Sequence, residues 1–263
     1  MFDDTLHIPL RFYTAVEKQN RYKSHVNTSK FQLLTDTTHL PPFQIVVDLG
    51  VTSATVNLVN ASTGASSAIS PTIYFIQFSA SAYLIHDASV AITAMTEADY
   101  YLDVTAGSDH FYSEVFSVGD ITDYTILEYY NKYDLGGIDY TNPSTQFKNK
   151  LVFESTLAKP EYLIEEEATE DGEGNQLLTF QRRVKLFKMW FYAPEYIVDA
   201  VSLIGLHDYV TLTTHYGMPE SETGSIYDFT FTSEWIESKG LSKVTCEFRD
   251  TPIVKTTCSD PIT

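Results

Sequence analysis

The sequence predicts a mainly β chain in two parts: a β-sandwich over residues 41–120, then a second β-rich, α+β region over 121–263 with one main helix. Three observations predict it. Hydrophobic residues make up 43% of the 263 positions, and the 18 Tyr and 16 Phe suit pleated faces, where rings pack across strands, more than a helical bundle. From Leu40 onward, short apolar runs alternate with polar turns and show no helical period. One segment, near 194–205, has apolar residues at helical spacing. The length exceeds what one small sandwich needs, which argues for two parts.

Residues 1–40 read as an N-terminal arm or lead-in, since RFYTAVEKQNRYKSHVNTSKFQLL sustains a period of neither 2 nor 3.6. Its Arg11, Lys18, Arg21, Lys23 and Lys30 contrast with the acidic remainder. Such an arm is either a partly disordered terminus or a segment laid against an acidic surface of its own or a neighbouring subunit, ordering on assembly. LPPF then marks a boundary, and FQIVVDLG, TSATVNLVN, TIYFIQF, AYLIHDA, DYYLDVTAG and HFYSEVFSV follow as strands. Val56 and Leu58 share one face of their strand. Leu102 and Val104 point one way and Tyr101, Asp103 and Thr105 the other, with AGSD as the turn. On the return strand Tyr112, Glu114 and Phe116 oppose Phe111, Ser113 and Val115, and both faces carry apolar groups. That pattern predicts cover on both sides and makes Phe116, with Tyr129 beyond it, a joint to the next part. Roughly six strands in about 80 residues, separated by polar turns, is the pattern of an immunoglobulin- or fibronectin-like sandwich. The Cys and Trp hallmark of true immunoglobulin domains is absent, so the expectation concerns architecture alone.

After Asp120, TILEYYNKYD is Tyr-rich and Gly136–Gly137 breaks it. QFKNKLVFES sets Phe147, Asn149, Leu151 and Phe153 on one face and Lys148, Lys150 and Glu154 on the solvated side. Pro194 suits a first helical turn, Glu195 complements the dipole, and Ile197, Ala200, Val201 and Ile204 recur at helical spacing before Gly205 as a stop. Strands resume in DYVTLTTHY, SIYDFTFTSEW and KVTCEFRD. Cys246 alternates with Val244 and Phe248, as a small buried residue does. With Cys258 as the one other cysteine no disulfide framework is indicated, and the pairing of these two stays open.

Composition narrows the function. Seventeen Lys and Arg against 35 Asp and Glu give a formal charge of −18, which repels a phosphate backbone and disfavours nucleic-acid binding over a broad surface. The same charge either keeps the chain soluble or presents an acidic face to a basic partner. MFDDTLHIPL has acids where a signal peptide needs cations, and no segment approaches the roughly 20 apolar residues of a membrane span.

No constellation carries chemistry. Glu161, Glu165, Glu166, Glu167, Glu170, Asp171 and Glu173 are seven acids without an intervening cation. Asp171, Glu173 and Asn175 around two glycines faintly suggest a calcium loop, but the distal bidentate Glu is missing. A hairpin turning at Gly172–Gly174 explains the run better, because it sets Glu165 near Arg182 and Glu161 near Lys185 in a charge-paired ribbon. His207, Asp208 and His215 lack zincin spacing, and no nucleophile elbow or phosphate-cradling glycine run exists. His207 suits a hydrogen-bonding role at a helix-to-strand junction. Carboxylate pairs for glycoside hydrolysis assemble in space and leave no sequence signal. No catalytic, cofactor-binding or metal residue is therefore assigned. Tyr129, Tyr130 and Tyr133 suit stacking on sugars or a protein interface. The candidate interface set is Phe116, Tyr129, Tyr130, Tyr133, Glu165, Arg182, Arg183 and Lys185.

The order DYYLDVTAGSDHFYSEVFSVGD, LEYYNKYDLGGIDYTN, FKNKLVFESTLAKPEYLIEEEATEDGEGNQLLTFQRRVKLFKMWFYAPEYIVDAVSLIGLHDYVTL and KVTCEFRDTPIVKTTC, over about residues 99–258, resembles structural proteins of tailed phages and prophages of Bacteroidota, including crAss-like phages. The resemblance implies a virion structural protein, a ring-forming neck, tail or tail-hub subunit, and brings no catalytic residue. Its implied partners are itself in a symmetric ring and other virion tail and neck proteins, with no sequence-specific nucleic acid and no membrane. It would be assembled in the host bacterial cytoplasm. The alternative is a carbohydrate-binding adhesin or receptor-binding module of the tail; a glycan-cleaving enzyme comes third.

Overall fold

A computed structural model describes residues 8–14, 33–71, 73–78, 81–86, 92, 95–135, 137–141, 147–170, 172–214, 222–236, 241–250 and 253–256. Much of the expected arm, together with Gly136, Asp171, His215 and Cys258, lies outside the described residues. Among the described residues the protein is mainly β, with one short helix and several sheets.

The strands up to Val118 are β1 (Phe12–Thr14), β2 (Leu33–Thr35), β3 (Phe43–Val47), β4 (Ala54–Asn60), β5 (Ser66–Ile69), β6 (Ile73–Phe78), β7 (Ser81–His86), β8 (Ala98–Ala106), β9 (Asp109–Ser113) and β10 (Phe116–Val118). β8 is the axis of the larger sheet. β4 pairs antiparallel along one edge of it, with β5 beyond. The other edge is shared: β9 takes Asp103–Ala106 and β10 takes Ala98–Tyr100. β3, β7 and β6 form a smaller antiparallel sheet in that order. The two sheets meet through Phe12 and Phe43, whose ring centroids lie 5.0 Å apart. Val56, Leu58, Leu102 and Val104 from one sheet and Phe43, Ile45 and Leu84 from the other are buried in this core, as period-2 alternation requires.

Two expectations are refined here. The described part of the lead-in belongs to the larger sheet: β1 pairs with β9, β2 pairs in parallel with β10, and Ile8, Leu10 and Leu33 are buried. Three-residue strands are too short for a period to show in sequence. The return strand is also two strands, because it breaks at Glu114–Val115. Ser113 turns its hydroxyl into the ladder, accepting from the Leu102 N–H at 2.8 Å and donating to the Glu114 carbonyl at 2.7 Å. The break hands the β8 edge from β9 to β10, and Phe116 becomes a core residue with no exposed surface.

The second half contains β11 (Thr125–Tyr130), β12 (Asn149–Phe153), β13 (Thr156–Leu157), β14 (Glu161–Glu170), β15 (Gln176–Ala193), α1 (Glu195–Ser202), a 3-10 turn at Ile204–Leu206, β16 (Tyr209–Thr214), β17 (Glu222–Ser225), β18 (Tyr227–Ile236), β19 (Leu241–Arg249) and β20 (Ile253–Thr256). One sheet has the order β12-β11-β16-β17. The other is built on β15, which pairs with β14 and β13 and also with β20 and β19, with β18 outermost on β19. Phe153 and Phe191 join the sheets with ring centroids 4.4 Å apart. Phe147, Asn149, Leu151 and Phe153 are all buried on one face, as their alternation predicts.

α1 begins after Pro194 and packs Ile197, Ala200 and Val201 inward. It ends at Ser202, and Gly205 lies within the following 3-10 turn and does not stop the helix. Its role is close approach. A Cβ on Gly205 would stand 2.7 Å from the carbonyl oxygen of Phe229, which lies in the irregular stretch of β18 between Tyr227 and Thr230.

Candidate functional site

The most exposed element is the ribbon of β14 and β15. Its turn includes residues 172–175, and Gly174 adopts φ +86, a left-handed conformation that favours glycine. The register places Glu165 opposite Arg182, with Glu165 Oε2 3.7 Å from the Arg182 guanidinium. The expected Glu161 and Lys185 pair does not form. Glu161 sits opposite Leu186, which puts it on the face opposite to Lys185, and it reaches diagonally to Lys188 at 3.7 Å. Lys188 also meets Glu247 of β19 at 3.4 Å, so it ties the ribbon to the body. Glu166 accepts from Gln181 at 2.7 Å, and the Arg183 guanidinium lies 4.8 Å from the Tyr162 ring centroid. The Lys185 backbone N–H donates to Asp250 at 3.1 Å.

What this ribbon lacks is cover. Every residue of β14 except Leu163 is exposed, including Tyr162 and Ile164, so neither face is packed. β14 pairs with β15 alone among the described strands, which leaves its outer backbone edge open. Glu166, Glu167 and Glu170 have no cationic partner among the described residues.

A second exposed group lies at the end of β11 and β16. Tyr130 and Tyr209 stack with centroids 4.6 Å apart and planes 13° from parallel, and Lys148 lies over Tyr130. Tyr133 and Leu206 are exposed beside Lys132 and Asp208, where Asp208 accepts from the Lys132 backbone N–H at 3.0 Å. Tyr209 and Leu206 were not legible as partners of the tyrosine run, because the sheet pairing of Tyr130 with Tyr209 joins residues far apart in sequence.

The two halves share one buried apolar core, and β2 of the first lies beside β12 of the second. Phe116 and Tyr129 are wholly buried within the chain and offer no surface to another subunit. A polar contact between the halves is made by Gln44 of β3, buried at 1% exposure: its amide donates to the Asp139 carbonyl at 2.7 Å and accepts from the Asp139 N–H at 3.0 Å. Next in the chain, Tyr140 contacts His207 Nε2 through its hydroxyl at 2.8 Å and accepts from the Asn149 amide. His207 Nδ1 lies 2.7 Å from the Leu203 carbonyl. That carbonyl can only accept, so Nδ1 carries the proton, Nε2 accepts, and Tyr140 donates to it. Tyr129 packs its ring edge against His207, while Tyr129 Oη and Asn149 Oδ1 are buried with no partner among the described residues. Burial pushes the Tyr129 and Tyr140 hydroxyls far above the ordinary tyrosine range and holds His207 below the ordinary histidine value. The arrangement favours neutral groups and structural bonding over proton transfer to a substrate.

Other candidate chemistry is sparse. A shallow hollow between the Asp48–Ser53 loop and the Gly107–Ser108 turn has Asp48 as its one ionisable lining residue. Among the described residues no three of His, Cys, Asp and Glu converge to hold a metal, and no helix is long and apolar enough to cross a membrane. Cys246 is buried and free, its thiol pushed up to about 12 by burial. Compared with known proteins, the sequence matches no family model and no curated relative.

Proposed function

We propose that the chain is a virion structural protein, a ring-forming subunit of a phage neck, tail or tail hub, acting through protein–protein assembly. The ribbon of β14 and β15 carries this reading: a long hairpin with both faces and one edge open serves no purpose inside a monomer and suits a clasp on a neighbour. The two facing sheets up to Val118 are read as an immunoglobulin-like module that decorates or bridges. The partners are further copies in a closed ring and other virion tail or neck proteins. Mass measurement and electron microscopy of the recombinant chain test the reading. Closed rings of fixed symmetry are the expected result, and a chain that stays monomeric at micromolar concentration, and with its candidate virion neighbours, overturns it.

The stacked Tyr130 and Tyr209, with Tyr133 exposed nearby, favour a second reading as a carbohydrate-binding tail module. Glycan-array binding lost in Tyr209→Ala would support it, and an array without signal would dismiss it.

A further inference from the structure

We infer that the open edge of β14 takes, as an added antiparallel strand, the basic segment 15–32 of a second copy. The inference deepens the assembly reading above by naming the partner of the ribbon.

An open ten-residue edge presents a row of backbone donors and acceptors that another strand can complete. Self-pairing of two β14 edges is disfavoured, since a two-fold contact sets the Glu165–Glu167 run against its own copy. The edge calls for a cationic strand. In a chain with 17 cations and a charge of −18, segment 15–32 carries Lys18, Arg21, Lys23 and Lys30 against the single acid Glu17. It runs between two anchored strands, β1 ending at Thr14 and β2 beginning at Leu33.

The side-chain patterns also match. Along β14, Glu165 and Glu167 share one face, and Tyr162 and Ile164 share the other. Along the segment, Arg21 and Lys23 alternate with Tyr22, Ser24 and Val26. Placing Lys23 opposite Glu165 in an antiparallel register sets Arg21 opposite Glu167 and Lys18 opposite Glu170. The same register sets Val26 opposite exposed Tyr162. Three opposite-charge pairs and one apolar pair then fall on the faces where their partners already point.

Two measurements test this on the full-length chain. A labelled peptide of residues 15–32 is titrated into it, beside a scrambled peptide and one N-methylated at alternate amides from Arg21 to Val26. The native peptide is expected to bind, weakening with salt, and to lose about tenfold in affinity for Glu165→Lys/Glu167→Lys. The N-methylated peptide should fail, because it keeps the charges and removes the strand donors. Equal binding by the scrambled or N-methylated peptide overturns the inference. In the second measurement, Lys23→Cys and Glu165→Cys are combined in one chain and oxidised. Covalent links between copies are expected, with Lys23→Cys/Glu166→Cys as the wrong-face control. Rings that persist in Glu165→Lys/Glu167→Lys overturn this partner while leaving the ring reading intact. A chain that stays monomeric, alone and with its candidate virion neighbours, and binds no peptide overturns both.

Discussion

Replacing Gln44 by Leu removes a buried amide that closes two hydrogen bonds on one peptide unit, 2.7 Å to the Asp139 carbonyl and 3.0 Å from its N–H. The side chain is isosteric enough to fill its site, so the loss is polar. Each bond contributes about 0.5–1.5 kcal/mol net, and each buried group left without a partner costs about 1–3 kcal/mol. Asp139 is 8% exposed, so water relieves little of that cost. We expect a destabilisation of about 3 kcal/mol. With a urea slope of about 2–3 kcal/mol/M, the unfolding midpoint should fall by about 1–1.5 M. Gln44→Glu is the companion variant: it can still accept from the Asp139 N–H but turns a carboxylate oxygen toward the carbonyl. It should be at least as damaging as Leu. Hydrogen exchange locates the effect, with protection lost first at the Asp139 amide. A Leu variant whose midpoint moves by less than about 0.3 M, or a Glu variant as stable as the parent, refutes the clamp as a stabilising contact between the halves.

Three further outcomes follow from the same geometry. Gly205→Ala should cost about 2–4 kcal/mol in the same denaturation assay, because its Cβ meets backbone 2.7 Å away and must displace that stretch of β18; a silent substitution would show that the stretch yields freely. His207 is held below its ordinary value chiefly by burial, so the unfolded chain binds a proton more readily than the folded one. Its contribution is complete above about pH 6.5 and is lost as pH falls, at most about 1.4 kcal/mol per unit; the stability–pH curve of His207→Gln should lack that portion, and coincident curves would count against it. Exchanging the charges of Glu165 and Arg182 together should recover the small loss, under about 1 kcal/mol, that either single reversal causes; additive losses in the cycle would show that the pair is not coupled.

The ribbon was readable from sequence because its information is local. An acidic run, a glycine-bearing turn and a basic run define a hairpin, and folding it about Gly172–Gly174 places Glu165 on Arg182. The neighbouring pair failed by a single residue, which in a strand means the opposite face. The polar contacts at the joint were not readable. Gln44 and Asp139 are 95 positions apart and Tyr140 and His207 are 67 apart, and none of the four stands out by spacing. Tyr129 stood out as a ring for sugars or a protein interface and Phe116 as a ring covered on both faces; both are wholly buried, since large aromatic rings in alternating strands go first to the core. β1 and β2 escaped notice because three-residue strands are specified by the neighbours they pair with, not by their own pattern.

β15 also has a mechanical meaning. One unbroken strand of 18 residues runs from the ribbon tip into the body, where Leu186–Ala193 pairs with Arg249–Ser242 of β19. Tension applied to the tip along the strand axis is carried by that backbone into β19. The hydrogen bonds there lie across the pull, so they are loaded together in shear instead of opening one after another. A strand of this kind carries load from the ribbon tip into the fold that anchors it without a hinge between them.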